Sequence, residues 1–213
     1  MRVRAVVLSG GLAVLLVGLF AAAGQLTPRA EPVPESRARF NDPRPAQVTP
    51  SRNPRREPDV DRGRPISDGV FIEVADGWKR VSSGPFTLAL VSWERGAAFV
   101  LTGSTRPVTS VPLLRPDAEG FAQTMELYGV RIGRVHPLPA PNRNIVEAAA
   151  ISFTGLRKLD DVTYSLSGEC VRLRGAADTN DVSVSICWSA YVQDLGTVRP
   201  EAQRMIASVA RSI

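Results

Sequence analysis

From Val70 onward, apolar residues fall into short runs separated by turn residues. Val70–Val74 reads as a strand closed by Asp76-Gly77 ahead of Trp78. Phe86–Trp93 follows, apolar on both faces at Leu88, Ala89, Leu90 and Val91, and Ala97–Thr102 is two-sided as well. Such strands need cover on both sides. With Glu94-Arg95-Gly96 as the turn, they predict an antiparallel hairpin near the centre of a sheet. Asp117 caps a predicted helix to Tyr128, with Ala118, Phe121, Ala122, Met125 and Tyr128 on one stripe and Gly129 as its stop. Val130–Val135 reads as a short strand and His136 through Pro141 as a loop. Ile145–Phe153 reads as a strand whose Ala148, Ala149 and Ala150 let a helix approach closely. Pro200 marks the start of a last helix, whose Ala202, Met205, Ile206, Val209 and Ile213 fall at i, i+3, i+4, i+7 and i+11.

The stretch 161–192 is β-rich. Val162, Tyr164 and Leu166 are apolar on even numbers, whereas Val171 and Leu173 are apolar on odd ones, which predicts a bulge or tight turn at Ser167-Gly168. Val184, Ile186 and Trp188 then alternate with Ser185, Cys187 and Ser189 beyond a turn at Asp178–Asp181. A hairpin centred between Asp178 and Thr179 sets Val171 against Ile186 and Leu173 against Val184. The same register puts Cys170 opposite Cys187 on the other face, close enough for a cross-strand disulfide. Two unpaired buried thiols are the alternative. The disulfide suits an oxidising compartment.

Two unlike segments precede this pattern. Arg2 and Arg4 lead into an uncharged stretch, of which Ala5–Leu26 would span roughly 33 Å as a helix, against a hydrocarbon core of about 30 Å. The same residues fit a secretory signal, with a basic start, an apolar centre at Leu12–Phe20 and a cleavage-like Ala21-Ala22-Ala23. Residues 1–26 are therefore a transmembrane anchor or a signal peptide, and with no cysteine following, a lipoprotein anchor is not expected. Residues 27–65 hold nine of the seventeen prolines, nine arginines and six acids, with Phe40 as the one aromatic. Such a composition cannot bury enough surface to offset chain entropy. It predicts a disordered, Pro/Arg-rich linker ahead of a globular domain at 66–213.

Charge follows the same division. The formal net charge of +5 is held by residues 1–65, where eleven arginines face six acids, and fifteen charges of each sign cancel in the remainder. A nucleic-acid-binding domain concentrates its positive charge on the folded reading face, so no nucleic-acid partner is expected. Reactive chemistry is sparse. His136 is the only histidine, in a proline-dense loop, and no nucleophile elbow, P-loop or dinucleotide fingerprint is present. Asp160-Asp161 and Asp178–Asp181 read as turns, since neither has the spaced ligands of a calcium loop. Trp78, Trp93 and Trp188 read as core. Catalytic, cofactor-binding and metal-ligating residues are all read as none.

The order of elements, with Ala75-Asp76-Gly77-Trp78 after the first strand and Ser208-Val209-Ala210-Arg211-Ser212-Ile213 at the close, resembles the PsbP-like superfamily and its actinobacterial LpqN-type envelope proteins. The motifs often seen there are Pro-x-Gly-Trp and Ile-x-x-Ser-Ile; here the proline is missing and Val209 is the aliphatic residue. Twenty-four arginines against only Lys79 and Lys158 fit a GC-rich, actinobacterial-type source. The resemblance covers residues 68–213. It implies an α+β fold, an antiparallel sheet flanked by helices on both faces in an α/β/α sandwich, and no catalytic residues to carry over. The expected role is a non-catalytic extracytoplasmic module that binds an envelope protein or cell-wall component. It would be held at the cell membrane by a single-pass N-terminal helix, or secreted after cleavage. A carrier or sensor of a small apolar ligand, seated between sheet and helix, is the alternative, and an envelope hydrolase is a third reading.

Overall fold

The computed structural model describes residues 60–67, 69–104, 110–176 and 182–213. The expected N-terminal helix, the linker to residue 59 and the Asp178–Asp181 turn lie outside the described residues. A small antiparallel pair, β1 (Arg64–Ser67) and β2 (Val70–Ile72), comes first, so β1 begins inside the segment expected to be linker. The large sheet holds β3 (Lys79–Gly84), β4 (Thr87–Ser92), β5 (Ala97–Ser104), β6 (Tyr128–Ile132), β7 (His136–Pro137), β8 (Ile145–Leu159), β9 (Val162–Gly175) and β10 (Ser183–Tyr191). Its order is β3-β4-β5-β10-β9-β8-β6, with β7 also on β8, and every pairing is antiparallel. Helix α1 (Ser110–Thr124) covers one face and α2 (Leu195–Arg211) the other. The expected sandwich is present.

The β4–β5 hairpin forms as expected but lies second and third from an edge, because β3 pairs outside it. Strand β3 has no apolar alternation to announce it. Its Lys79, Arg80, Ser82 and Ser83, with an irregular register between Arg80 and Ser82, are what an outer strand carries to discourage further pairing.

Strand β9 corrects a second expectation. It runs unbroken through Ser167-Gly168, in register with both β8 and β10. The switch in apolar parity reflects cover on both faces: Gly168 and Cys170 lie on the α1 side, Val171 and Leu173 on the α2 side. Gly168 is required for packing, since an added Cβ would meet the Trp188 carbonyl oxygen and the Phe153 ring.

The β9–β10 register is the one expected, and Cys170 and Cys187 are disulfide-bonded with Cα atoms 4.1 Å apart. Both are buried, at 0% and 4% exposure, beneath α1. In the next cross-strand pair on that face, Arg172 and Ser185 reach the same carboxylate. Arg172 donates through Nε (2.5 Å) and Nη2 (3.0 Å) to Asp117, and Ser185 Oγ donates to Asp117 Oδ2 at 2.7 Å.

Asp117 is therefore not a helix cap. It lies inside α1, which starts seven residues earlier and carries Pro116 within it. Pro116 and the Pro112 carbonyl it cannot bond are both on the exposed side, so the lost hydrogen bond is borne where water can replace it. The helix also ends sooner than expected. Glu126 takes the left-handed conformation (φ 55°), with Glu126 N–H donating to the Gln123 carbonyl (3.0 Å) and Leu127 N–H to the Ala122 carbonyl (2.9 Å). That is a Schellman closure made without glycine. Gly129 lies instead in β6, and Tyr128 leaves the buried stripe of Ala118, Phe121, Ala122 and Met125.

Helix α2 begins at Leu195, so Pro200 falls in its second turn and not at its start. Ala202, Met205, Val209 and Ile213 are buried as expected, and Ile206 is partly so. Two serines of its last turns bond the free edge of β2 and the residue after it. Ser208 Oγ accepts from Glu73 N–H and Ser212 Oγ from Phe71 N–H, each at 2.9 Å. Four helical residues rise about 6.0 Å and two strand residues about 6.6 Å, so alternate strand N–H groups meet hydroxyls four apart. The Asp76-Gly77 turn delivers Trp78 to the second turn of α2, where Trp78 Nε1 and Arg95 Nη1 both donate to Glu201 at 2.7 Å.

Breaking the Asp117 clamp should cost more than a surface pair would. Asp117→Ala leaves Arg172 poorly solvated and should lower unfolding free energy by about 3 kcal/mol, the low end for a buried pair because both side chains keep some water contact. Urea unfolding checks this, and Asp117→Leu with Arg172→Met should recover most of the loss.

Candidate ligand-binding face

The register of the large sheet sets residues side by side in rows, and on the α2 face these rows change character part-way across. One row reads Leu90, Phe99, Trp188, Glu169, Ser152 from β4 to β8. The next, towards the β8–β9 turn, ends in Ala190, Ser167, Thr154 and Arg131. Leu90, Phe99, Trp188 and Ala190 are buried in the core that α2 covers. Beyond them Ser152, Thr154 and Arg131 are exposed, and Ser167 and Glu169 are partly so. Half of this face is thus open and polar.

Glu169 lies at the boundary. Burial pushes its carboxyl above the ordinary carboxylate range, while the charges of His136 and Arg199 and the Trp188 indole N–H each pull it partly back. His136 comes from β7, paired with Ala150, so the expected loop contains a two-residue strand that sets the imidazole on this face. Arg199 comes from α2. Trp188 is 1% exposed, and its Nε1 has no partner at hydrogen-bonding geometry although Glu169 feels it. Gly133, beside β8, keeps the rim low: an added Cβ would sit 2.7 Å from Ser152 Oγ.

The site therefore offers donors (Trp188 Nε1, Arg199, Arg131), one acceptor (Glu169) and groups that do either (Ser152, Thr154, Ser167, His136). This equips it to hold a polar molecule. Sequence reading passed over Glu169, although a signal was present: it shares the odd-numbered parity of buried Val171 and Leu173, where an acid is out of place.

Asp160-Asp161 forms the two-residue turn between β8 and β9, with Asp160 at φ 52°. Trp78 and Trp188 are core, but Trp93 is 59% exposed on a short 3-10 turn, which corrects its assignment to the core. Ala148, Ala149 and Ala150 are buried, Ala149 on the α1 side and the other two on the α2 side. Among the described residues no helix is long and apolar enough to cross a membrane.

No known family's sequence profile matches the chain, and no curated protein is similar to it in sequence. Several solved structures overlay on it. The Ran-binding protein Mog1p of Saccharomyces cerevisiae does so with a TM-score of 0.43 over 68% of this chain and 88% of that one, at 7% identity. LpqN of Mycobacterium tuberculosis, involved in cell envelope biogenesis, gives 0.41 over 67% and 86%, at 13% identity. Protein PA94 of Pseudomonas aeruginosa gives 0.32 over 61% and 78%, also at 13%. These are distant likenesses of shape and assign neither partner nor role.

The raised carboxyl has a signed consequence. Between the ordinary glutamate value and the folded one, the native chain keeps a proton that the unfolded chain has released. The residue's contribution is thus whole in acid and is lost as pH rises through that interval. Glu169→Gln should match the wild type below about pH 4 and be the more stable at pH 7. Urea midpoints at both pH values check it.

Proposed function

We propose that this chain is a non-catalytic module of the cell envelope that binds a protein or cell-wall partner through the open half of its sheet. The observation that carries the reading is the passage from apolar to polar side chains along single cross-strand rows, with Glu169 at the boundary. Folding alone does not ask for an acid there. Its desolvation costs stability, and a perturbed group in an open polar site is a candidate for binding.

Three features support the compartment. The buried Cys170–Cys187 disulfide fits an oxidising space. The apolar segment at residues 1–26 would anchor or export the domain, and the proline- and arginine-rich segment would hold it off the membrane. Charge balance over residues 66–213 speaks against nucleic acid.

Site-specific photocrosslinking in intact cells tests the role. A benzophenone side chain at exposed Thr154 should give a defined adduct, and one at exposed Glu119 on α1 should not. Absence of an adduct at Thr154, or the same adducts from both positions, would refute binding through this face.

A further inference from the structure

We propose that the open face holds a neutral, polyhydroxylated ligand, a saccharide unit, between Arg199 and His136 with Glu169 and the Trp188 indole N–H beneath it. This rests on the binding role proposed above and names the chemistry of the ligand.

Trp188 Nε1 can only donate, it is buried, and among the described residues it has no partner at hydrogen-bonding geometry, although Glu169 lies close enough to feel it. A buried donor in that state costs free energy until an acceptor oxygen arrives. Arg199 and Arg131 also only donate. Glu169, when ionised, only accepts. The remaining groups, the hydroxyls of Ser152, Thr154 and Ser167 and the imidazole of His136, adapt to either role.

This mixture excludes ligands of one sign. An anion set over the floor meets Glu169, and a cation meets Arg131 and Arg199 on either side. An apolar ligand would leave the indole N–H and the carboxylate unpaired and would displace water from three hydroxyls for no return. A sugar hydroxyl donates and accepts at once. One such group can give its proton to Glu169, which lies beside the buried indole N–H, and neighbouring hydroxyls serve Arg199 and the serines.

Shape agrees. The floor is made of Ser167 on β9 with Ser152 and Thr154 on β8, edged by Arg131 of β6, so that the three strands span about 10 Å. That width suits one or two sugar rings lying flat. The rim at Gly133 is kept low by the absence of a side chain that would strike Ser152.

The test uses the full chain in a zwitterionic detergent with its disulfide intact, and reads the three indole N–H signals by nuclear magnetic resonance. The Trp188 signal is assigned by elimination with Trp78→Phe and Trp93→Phe. The probes are maltotriose, cellotriose and chitotriose, with a galacturonate trimer and a glucosamine trimer as charged counterparts. At least one neutral trimer should shift the Trp188 signal with millimolar affinity, and both charged trimers should bind at least tenfold more weakly. Glu169→Gln, and separately Thr154→Arg at an exposed position away from the core, should each weaken the neutral trimer at least tenfold.

The proposal is overturned if no neutral trimer shifts the signal at tens of millimolar, if a charged trimer binds best, or if neither variant changes the affinity. A Thr154 cross-link to a protein without any trimer-induced shift would leave the binding role standing and remove the saccharide. Loss of both results would remove both.

Discussion

The antiparallel pairing of β9 with β10 is the constraint on which the rest of the molecule depends. Four successive facing pairs have four different tasks. Val171 with Ile186 fills the core under α2, and Cys170 with Cys187 forms the covalent link under α1. Arg172 with Ser185 grips α1 through Asp117, and Glu169 with Trp188 sets up the open face. Because side chains alternate between faces, a slip of one residue would exchange all four environments together. Two-sided burial gives such a register its strength, and the disulfide fixes it covalently.

The two helices are seated by different physics. Helix α1 lies over Ala89, Ala98, Ala149 and the cysteines as well as Val100, Ile151 and Phe153, and is oriented by an ion pair. Helix α2 lies over aliphatic and aromatic side chains and is held through Glu201 in its second turn and through Ser208 and Ser212 at its close. One helix cannot cover a face this wide. What remains must be polar, and the hydroxyl-bearing β8 and β9 meet that demand.

Elements set by local alternation were legible. The β4–β5 hairpin, the buried stripe of α2, the β9–β10 register and the pairing of Cys170 with Cys187 follow from periods of two and 3.6 in the residues themselves. What escaped was decided by tertiary context. Strand β3 has no apolar period because it is an edge, and the first turns of α1 are masked by Pro112 and Pro116. The continuity of β9 looked like a break because its buried face changes when cover arrives on both sides. The open face was hidden for a related reason: its residues come from β6, β7, β8, β9, β10 and α2, and no sequence window contains them together. Only Glu169, an acid at a core parity, left a trace in its own strand.

The small β1–β2 hairpin also decides how the body meets a load. Val60 N–H bonds the Arg211 carbonyl, and the next contacts along the chain, at Phe71 and Glu73, return to Ser212 and Ser208. A pull on the chain at Val60 therefore runs into the final turns of the C-terminal helix and leaves the broad sheet slack. The hairpin thus stands between such a pull and the cross-linked strands, as a strain relief stands between a cable and its socket.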